Sequence, residues 1–213
     1  MPVRRAVPTG ATAILAAWLL AATSACAGGA EEPEQVSTAS VDELSDHGGR
    51  ACPERLAQAD DESHGFGTDA PATEVPDLSG ADRAWVCTYR GVLDHRQPRG
   101  GGAVYRWERL DRPQSLTGSR SEAVEQALAG VAPYDDGERL CTADLGPRHV
   151  LVLAHGRDLT GVVVEGYGCR DVRLTDDPFT TVPGEGDQGR AVPGVLGGGG
   201  DLLDAVGVER PLR

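Results

Sequence analysis

Four cysteines in the body of the chain are the residues whose spacing most restricts its chemistry. They are Cys52, Cys87, Cys141 and Cys169, and a fifth, Cys26, stands near the N-terminus. A structural zinc site usually takes closely spaced cysteine pairs, and the chain contains no C-x-x-C sequence. An even number of widely spaced cysteines instead indicates two disulfides in an oxidising compartment. Of the three pairings that the sequence allows, our hypothesis is the two sequential ones, Cys52 with Cys87 and Cys141 with Cys169.

Several general catalytic motifs are absent from the sequence: it contains no G-x-S-x-G, H-E-x-x-H, Walker A or EF-hand loop. All 20 basic residues are arginine, which excludes lysine chemistry. His149 and His155 would lie about 20 Å apart on one strand, too far to share a metal ion. We therefore favour a non-catalytic protein without a cofactor or metal. The alternative is a small hydrolase whose site forms only on folding, from one of these histidines with Glu165 or Asp144.

Two charged stretches could bind ions but have simpler explanations. Asp60-Asp61-Glu62-Ser63-His64 resembles an acidic metal-binding segment, yet charged runs in Gly- and Pro-flanked loops are usually only solvated. Arg170 and Arg173 flank Asp171 and could together bind a carboxylate or phosphate. Pairing of these arginines with the neighbouring aspartate at an exposed strand end is the interpretation we favour.

The aromatic residues of two β-rich runs could form either a binding face or part of the core. Alternating apolar residues predict strands at 84–89 and 104–110, joined as a long-looped hairpin. One face of that hairpin would carry Trp85, Tyr89, Tyr105 and Trp107. Aligned rings can stack on sugar rings or on an apolar group of a partner. We favour a core role, because the chain has few other large apolar residues.

The first residues have the character of an export signal. Two arginines precede an apolar run, 11–22, which has the length of a signal-peptide core and is too short to span a bilayer. Thr23-Ser24-Ala25-Cys26 then resembles a bacterial lipobox, in which small residues precede a lipidated cysteine, although threonine stands where leucine is usual. This predicts a signal peptide over 1–25 and anchoring to the outer face of the cell membrane through Cys26. Cleavage after Ala27 by ordinary signal peptidase is the alternative, and it would release a soluble protein.

Composition divides the remainder of the chain into three parts. Residues 26–50 are small and acidic and predict a flexible tether after the lipidated cysteine. Residues 51–177 predict one disulfide-stabilised domain, and 178–213 predict a mobile Gly/Pro-rich tail with a short helix at 201–206. Within the domain we expect a short helix at 52–59, a helix at 119–131 that starts with a capping box, and three antiparallel strands at 139–145, 149–155 and 159–174.

These elements predict the α+β class, with an antiparallel sheet of about five strands, one or two packed helices and two stapling disulfides. Cys87-Thr88 and Cys141-Thr142 each open a predicted strand, and a helical segment precedes each of these strands. This similarity suggests a pair of α-β-β units.

The lipobox, the acidic tether, the four further cysteines and the segment GYGCRDVRLTDDP at 166–178 together resemble uncharacterised secreted lipoproteins of high-GC Gram-positive, actinobacterial type. The resemblance is specific for export and anchoring in the first thirty residues and loose elsewhere, and it implies no activity. The resulting hypothesis is a cell-envelope protein that binds or scaffolds, with the membrane and an envelope protein or glycan as partners. A net charge of -13 argues against nucleic acid as a partner.

Overall fold

The structure is a computed structural model that describes residues 43–59, 68–93, 105–134, 141 and 146–208. The described residues belong to one compact unit, Ser40–Arg213. None of the three helices in these described ranges has the length and apolar character needed to span a bilayer. The elements, in chain order, are α1 Glu43–Asp46, β1 Arg83–Leu93, β2 Tyr105–Arg109, β3 Gln114–Leu116, α2 Ser119–Leu128, β4 Arg148–His155, β5 Asp158–Glu165, β6 Val172–Thr175, β7 Val195–Leu196 and α3 Gly199–Ala205.

All seven strands form one antiparallel sheet, which confirms the α+β prediction and adds short strands to the expected five. The order is β2-β1-β4-β5-β6-β7, and β3 pairs with β1 beside β2. β4 and β5 form the central hairpin, in which His155 is paired with Asp158 across a two-residue turn. Gly156 occupies that turn with φ 64°, a left-handed conformation in which glycine carries no Cβ penalty.

Both faces of the sheet are covered, and this explains why β4 is a nearly continuous apolar run rather than an alternating one. On one face, α2 and α3 pack through Val124, Leu128, Leu202 and Leu203. This face of the sheet is formed by Ala84, Val86, Leu151, Leu153, Val162, Val164, Val172, Leu174 and Leu196. The period-two pattern of the strands sends their other side chains to the opposite face.

The opposite face is covered by the chain segment that runs from α1 to Leu56. The sequence predicts a helix at 52–59, and this prediction is wrong. The segment is instead irregular and pairs with the outer edge of β2: Leu56 N donates to Trp107 O at 3.1 Å, and Arg109 N donates to Glu54 O at 2.9 Å. A helix would have used these backbone groups internally and left the edge of β2 unpaired.

The helix predicted at 119–131 forms as α2, but its predicted capping box does not. Gly118, with φ 58°, is the N-cap residue, and no side chain caps the helix. Ser119 is therefore the first helical residue, where its hydroxyl is not placed to accept from the N–H of the third helical residue. Val131 lies beyond the end of α2 and is nonetheless buried in the core.

Both predicted disulfides are confirmed, Cys52–Cys87 and Cys141–Cys169. Neither cysteine of the second bond lies in a described strand: Cys169 is in the turn between β5 and β6, and Cys141 is not in a strand. The other residues of the strand predicted at 139–145 lie outside the described residues. The predicted strand 159–174 is two strands, because the chain reverses at 166–171. The pair of α-β-β units suggested by the sequence has a counterpart in the element order, because α1 precedes β1-β2-β3 and α2 precedes β4-β5-β6. The Cys-Thr sequences that suggested these units do not start corresponding strands.

Two predicted boundaries of the domain are corrected. Residues 43–50, assigned to the tether, dock on the domain, and Leu44 is buried there. Residues 178–208, predicted as a mobile tail, supply β7 and α3, with the expected short helix forming as α3. Their buried residues include Val192, Leu196, Leu202, Leu203 and Val206. The Gly/Pro-rich composition of this region predicted a mobile tail. Its apolar residues, although scattered among many glycines, pack on the helix-covered face of the sheet once the chain folds back.

Candidate functional site

The four aromatic residues of β1 and β2 share one face, as predicted, because Gly91 pairs with Trp107 and Leu93 with Tyr105. That face is internal rather than open. Tyr89 and Trp107 are 0% and 1% exposed, and Trp85 and Tyr105 are half-buried. These residues therefore form core, and the binding-face interpretation is wrong for Tyr89 and Trp107.

Polar contacts hold the aromatic residues in place beneath the irregular segment. The Tyr89 hydroxyl donates to Pro53 O at 2.8 Å, and burial raises the pKa of Tyr89, an effect that Arg109 partly opposes. Arg109 Nη1 donates to Cys52 O at 2.6 Å. The Arg148 guanidinium lies 3.5 Å from the centroid of the Trp107 ring, an arrangement that favours a desolvated cation.

Arg173 is buried and is the centre of an ion-pair network on the same face. Its guanidinium donates to Glu165 Oε1 at 2.9 Å and to Asp69 Oδ1 at 2.8 Å, and its Nε donates to Thr68 O at 3.1 Å. Asp171 lies 3.8 Å away. The predicted pairing of Arg173 with an aspartate is thus present, but it is buried rather than exposed. Because these partners satisfy the guanidinium, we interpret the network as structural.

A pocket of about 400 Å³ lies at the end of the sheet, where α1, the β4–β5 turn and the β6–β7 connection meet. It is strongly acidic, with four carboxylates against one guanidinium. That guanidinium, Arg190, donates to Asp77 O at 2.9 Å and is ion-paired with Asp77 Oδ2 at 3.3 Å. The lining residues are Glu43, His155, Asp158, Leu159, Thr160, Asp176, Asp177, Thr181, Gln188, Gly189 and Arg190.

The carboxylates of the pocket differ in what they contact. Asp177 organises its own turn by accepting from Phe179 N at 2.8 Å and from the Thr180 hydroxyl at 2.5 Å. Glu43 Oε2 accepts from Leu159 N at 2.5 Å. Burial raises the pKa of Glu43, and repulsion from Asp177 and Asp158 adds to this, while the Leu159 N–H opposes it. The site therefore holds negative charge that a bound cation would stabilise.

His155 lines this pocket, and its two ring nitrogens are buried near the backbone of Ser79. Burial lowers the pKa of His155 and the nearby charge of Arg190 lowers it further, while the Ser79 backbone and the charges of Asp82 and Asp77 oppose this. A general base of a hydrolase would be oriented by a hydrogen bond from its ring to a carboxylate. His155 makes no such hydrogen bond to a carboxylate in the described part of the chain, and both of its ring nitrogens are buried.

The residues suggested for a hydrolase site are not brought together. Glu165 is at the opposite end of β5 from the strand position that pairs with His155, about 23 Å away along the strand. His149 is 5% exposed and lies on the helix-covered face, where Thr88 Oγ1 is 3.4 Å from its Nδ1. Burial lowers the pKa of His149. Asp144 lies outside the described residues, as do Cys26 and the acidic run 60–64.

Among the residues described, no group of three or more His, Cys, Asp or Glu side chains is arranged to hold a metal ion. The sequence did not single out Glu43, Asp158, Asp176 or Arg190. Glu43 begins α1, Asp158 begins β5, and the other two lie between β6 and β7. Only the fold brings residues so far apart in the chain together. The sequence offers one local indication of this pocket, which is the acidic residues beside the turn at 156–157 and at 176–177. Acidic residues beside turns are common, so they do not indicate a pocket specifically.

No family model, curated protein or solved structure matches this chain.

Proposed function

We propose that the protein is a non-catalytic, lipid-anchored cell-envelope protein whose domain binds a ligand bearing a cationic group in the acidic pocket. The observation that carries this proposal is the charge of the pocket, four carboxylates against a guanidinium that Asp77 already pairs. A volume of about 400 Å³ suits a small molecule or one side chain of a larger partner.

The chemistry of the lining residues favours an ammonium or guanidinium group. The side-chain carboxylates of Asp158 and Asp176 make no hydrogen bond or ion pair within the described ranges, and both residues line the pocket. Thr160 and Gln188 add neutral polar groups that can fix the orientation of a ligand. The amino group could belong to a free amine, or to an envelope protein or glycan that presents it.

The proposed location rests on the sequence and on the disulfides. Two disulfides are typical of an oxidising, extracytoplasmic compartment. The signal-like segment and the lipobox-like Cys26 support export followed by anchoring.

The ligand class is tested with three probes that share a four-carbon chain. Putrescine, 1,4-butanediol and succinate are titrated separately into the mature chain carrying Cys26→Ser, and NMR monitors the backbone signals of residues 176 and 189. Only putrescine should bind, and its affinity should fall as salt is added. Loss of one carboxylate, as in Asp176→Asn, should weaken binding about 1.4- to 5-fold, because a partly exposed ion pair contributes about 0.2–1 kcal/mol.

Asp111→Asn is the matched control, because Asp111 is an exposed aspartate that does not line the pocket. Equal responses to putrescine and butanediol, or equal weakening by the control and Asp176→Asn, would refute the cationic ligand class.

The anchor is tested separately in the cell. Wild-type protein should incorporate labelled fatty acid and sediment with membranes, whereas Cys26→Ser should lose the label and leave the membrane fraction. A mature protein that begins at Gly28, without lipid, would instead establish cleavage after Ala27.

A further inference from the structure

Residues 43–50, which we call the strap, connect the predicted tether to the disulfide-bonded segment. The strap begins with α1, which has four residues and is too short to be stable by itself. It docks by three kinds of contact. Glu43 N donates to Arg157 O at 3.0 Å, Leu44 is buried against the sheet, and the His47 ring stacks on Phe179 at 3.5 Å between centroids.

The strap also forms one wall of the acidic pocket. Its Glu43 lines the pocket and accepts a hydrogen bond from the Leu159 N–H, while Asp158 and Asp177 repel its charge. His47 of the strap lies 3.9 Å from Asp177, another lining residue. A cation in the pocket would offset the repulsion that opposes docking of Glu43.

Two glycines at the C-terminal end of the strap allow it to leave the sheet in the proposed movement. Gly48 and Gly49 have φ values of 64° and 75° and open space around them, so they form a hinge that glycine permits. Immediately after them, the Cys52–Cys87 disulfide fixes the chain to β1. Movement of the strap is therefore confined to the residues before Cys52.

We propose that docking of the strap and binding of a cationic ligand in the pocket are positively coupled, so that the ligand locks the strap on β5. This inference rests on the proposed function. Linkage is reciprocal, so a docked strap must raise affinity for the ligand by the factor by which the ligand favours docking.

Coupling would transmit the state of the pocket to the membrane anchor. Cys26 is 17 positions from Glu43, the first residue of the strap (43 minus 26), and 26 positions from Cys52, where the disulfide holds the chain (52 minus 26). The nine additional residues add up to about 30 Å of reach. An empty pocket therefore lets the domain stand further from the membrane than an occupied one.

Hydrogen exchange on the mature Cys26→Ser chain measures docking directly. The reporters are the amide of Leu159, which donates to Glu43, and the amides of residues 43–50. Saturating putrescine should slow their exchange at least three-fold, and 1,4-butanediol should leave it unchanged. Glu43→Gln retains an acceptor for Leu159 but removes the repelled charge, so it should reduce the effect of putrescine on the strap.

Reciprocity is tested with Leu44→Ala, which weakens docking although Leu44 does not line the pocket. It should lower putrescine affinity several-fold, while Val75→Ala, at a side chain that is 70% exposed, should not. Should Leu44→Ala fail to fold, exchange in the wild-type chain decides the question alone.

Two outcomes would overturn the coupling and are distinguishable. Putrescine that shifts the signals of residues 176 and 189 but leaves strap exchange unchanged overturns the coupling and keeps the proposed function. Putrescine that shifts no pocket signal overturns the ligand class and, with it, the coupling.

Discussion

Replacing Trp107 by alanine tests whether the aromatic residues of β1 and β2 are core. The side chain is 1% exposed. A buried tryptophan removes about 150–250 Å² from water, which corresponds to about 4–6 kcal/mol, and substitutions of this type cost about 3–5 kcal/mol because alanine keeps part of the contact. The loss should lie at the upper end of that range, because Arg148 would lose the ring against which its guanidinium lies.

Urea unfolding with intact disulfides is the assay. With a slope of about 2 kcal/mol/M, a loss of about 4 kcal/mol lowers the midpoint by about 2 M. Trp85 supplies the fluorescence signal that remains in the variant, and circular dichroism supplies a second probe. Val75→Ala is the matched control and should change the free energy of unfolding by less than about 0.5 kcal/mol.

A loss below about 1 kcal/mol, with the slope unchanged, would refute the burial argument. Trp107 would then be a surface residue, and the aromatic face would again be the leading candidate for ligand binding. Trp107→Phe should fall between the wild type and the alanine variant, because it retains a ring beneath Arg148.

Four further outcomes follow from the structure. Removing the first disulfide by Cys52→Ala with Cys87→Ala should lower the free energy of unfolding by about 4 kcal/mol, the value expected for a loop of 35 residues; an unchanged urea midpoint would contradict this. Burial lowers the pKa of His149 below 6.5, so the unfolded state takes up a proton that the folded state excludes. Stability should therefore fall as the pH drops through about 6.5, and His149→Gln should have a smaller fall in urea titrations across this range. Arg173→Met leaves Glu165 without its main partner and should cost about 3–5 kcal/mol, most of which Glu165→Leu in the same chain should restore; equal stability of the single and double variants would argue against the pair. Ending the chain after Gly197 removes α3 from the core and should abolish cooperative unfolding and the near-ultraviolet dichroism, whereas a mobile tail could be removed without effect.

Local patterns predicted much of the sheet. The alternation of apolar residues around Trp85 and around Trp107 predicted β1, β2 and the face that their aromatic residues share. Successive side chains of a strand point to opposite faces whatever packs on the sheet, so this pattern is visible in the sequence. The hypothesis of two sequential disulfides is also confirmed, although the sequence allowed three pairings and Cys141 does not lie in a strand.

Local patterns failed where tertiary contacts compete with them. The segment at 52–59 has the composition of a helix start, but its backbone groups form hydrogen bonds with the edge of β2 instead of with one another. The region after Pro178 has the composition of a loop, yet Leu202 and Leu203 fill a gap on the helix-covered face. In both cases the deciding partner is far away in the chain.

The sequence by itself determined the absence of lysine chemistry and the net negative charge, and its patterns predicted the α+β class and two disulfides. These follow from residue types and short-range periodicity, which the rest of the fold does not alter. Only the tertiary structure decided that Tyr89 and Trp107 are buried and that Glu43, Asp158 and Asp176 line one pocket. The physical reason is that burial and electrostatic repulsion depend on distances between residues more than a hundred positions apart, and the packing of the whole chain sets those distances.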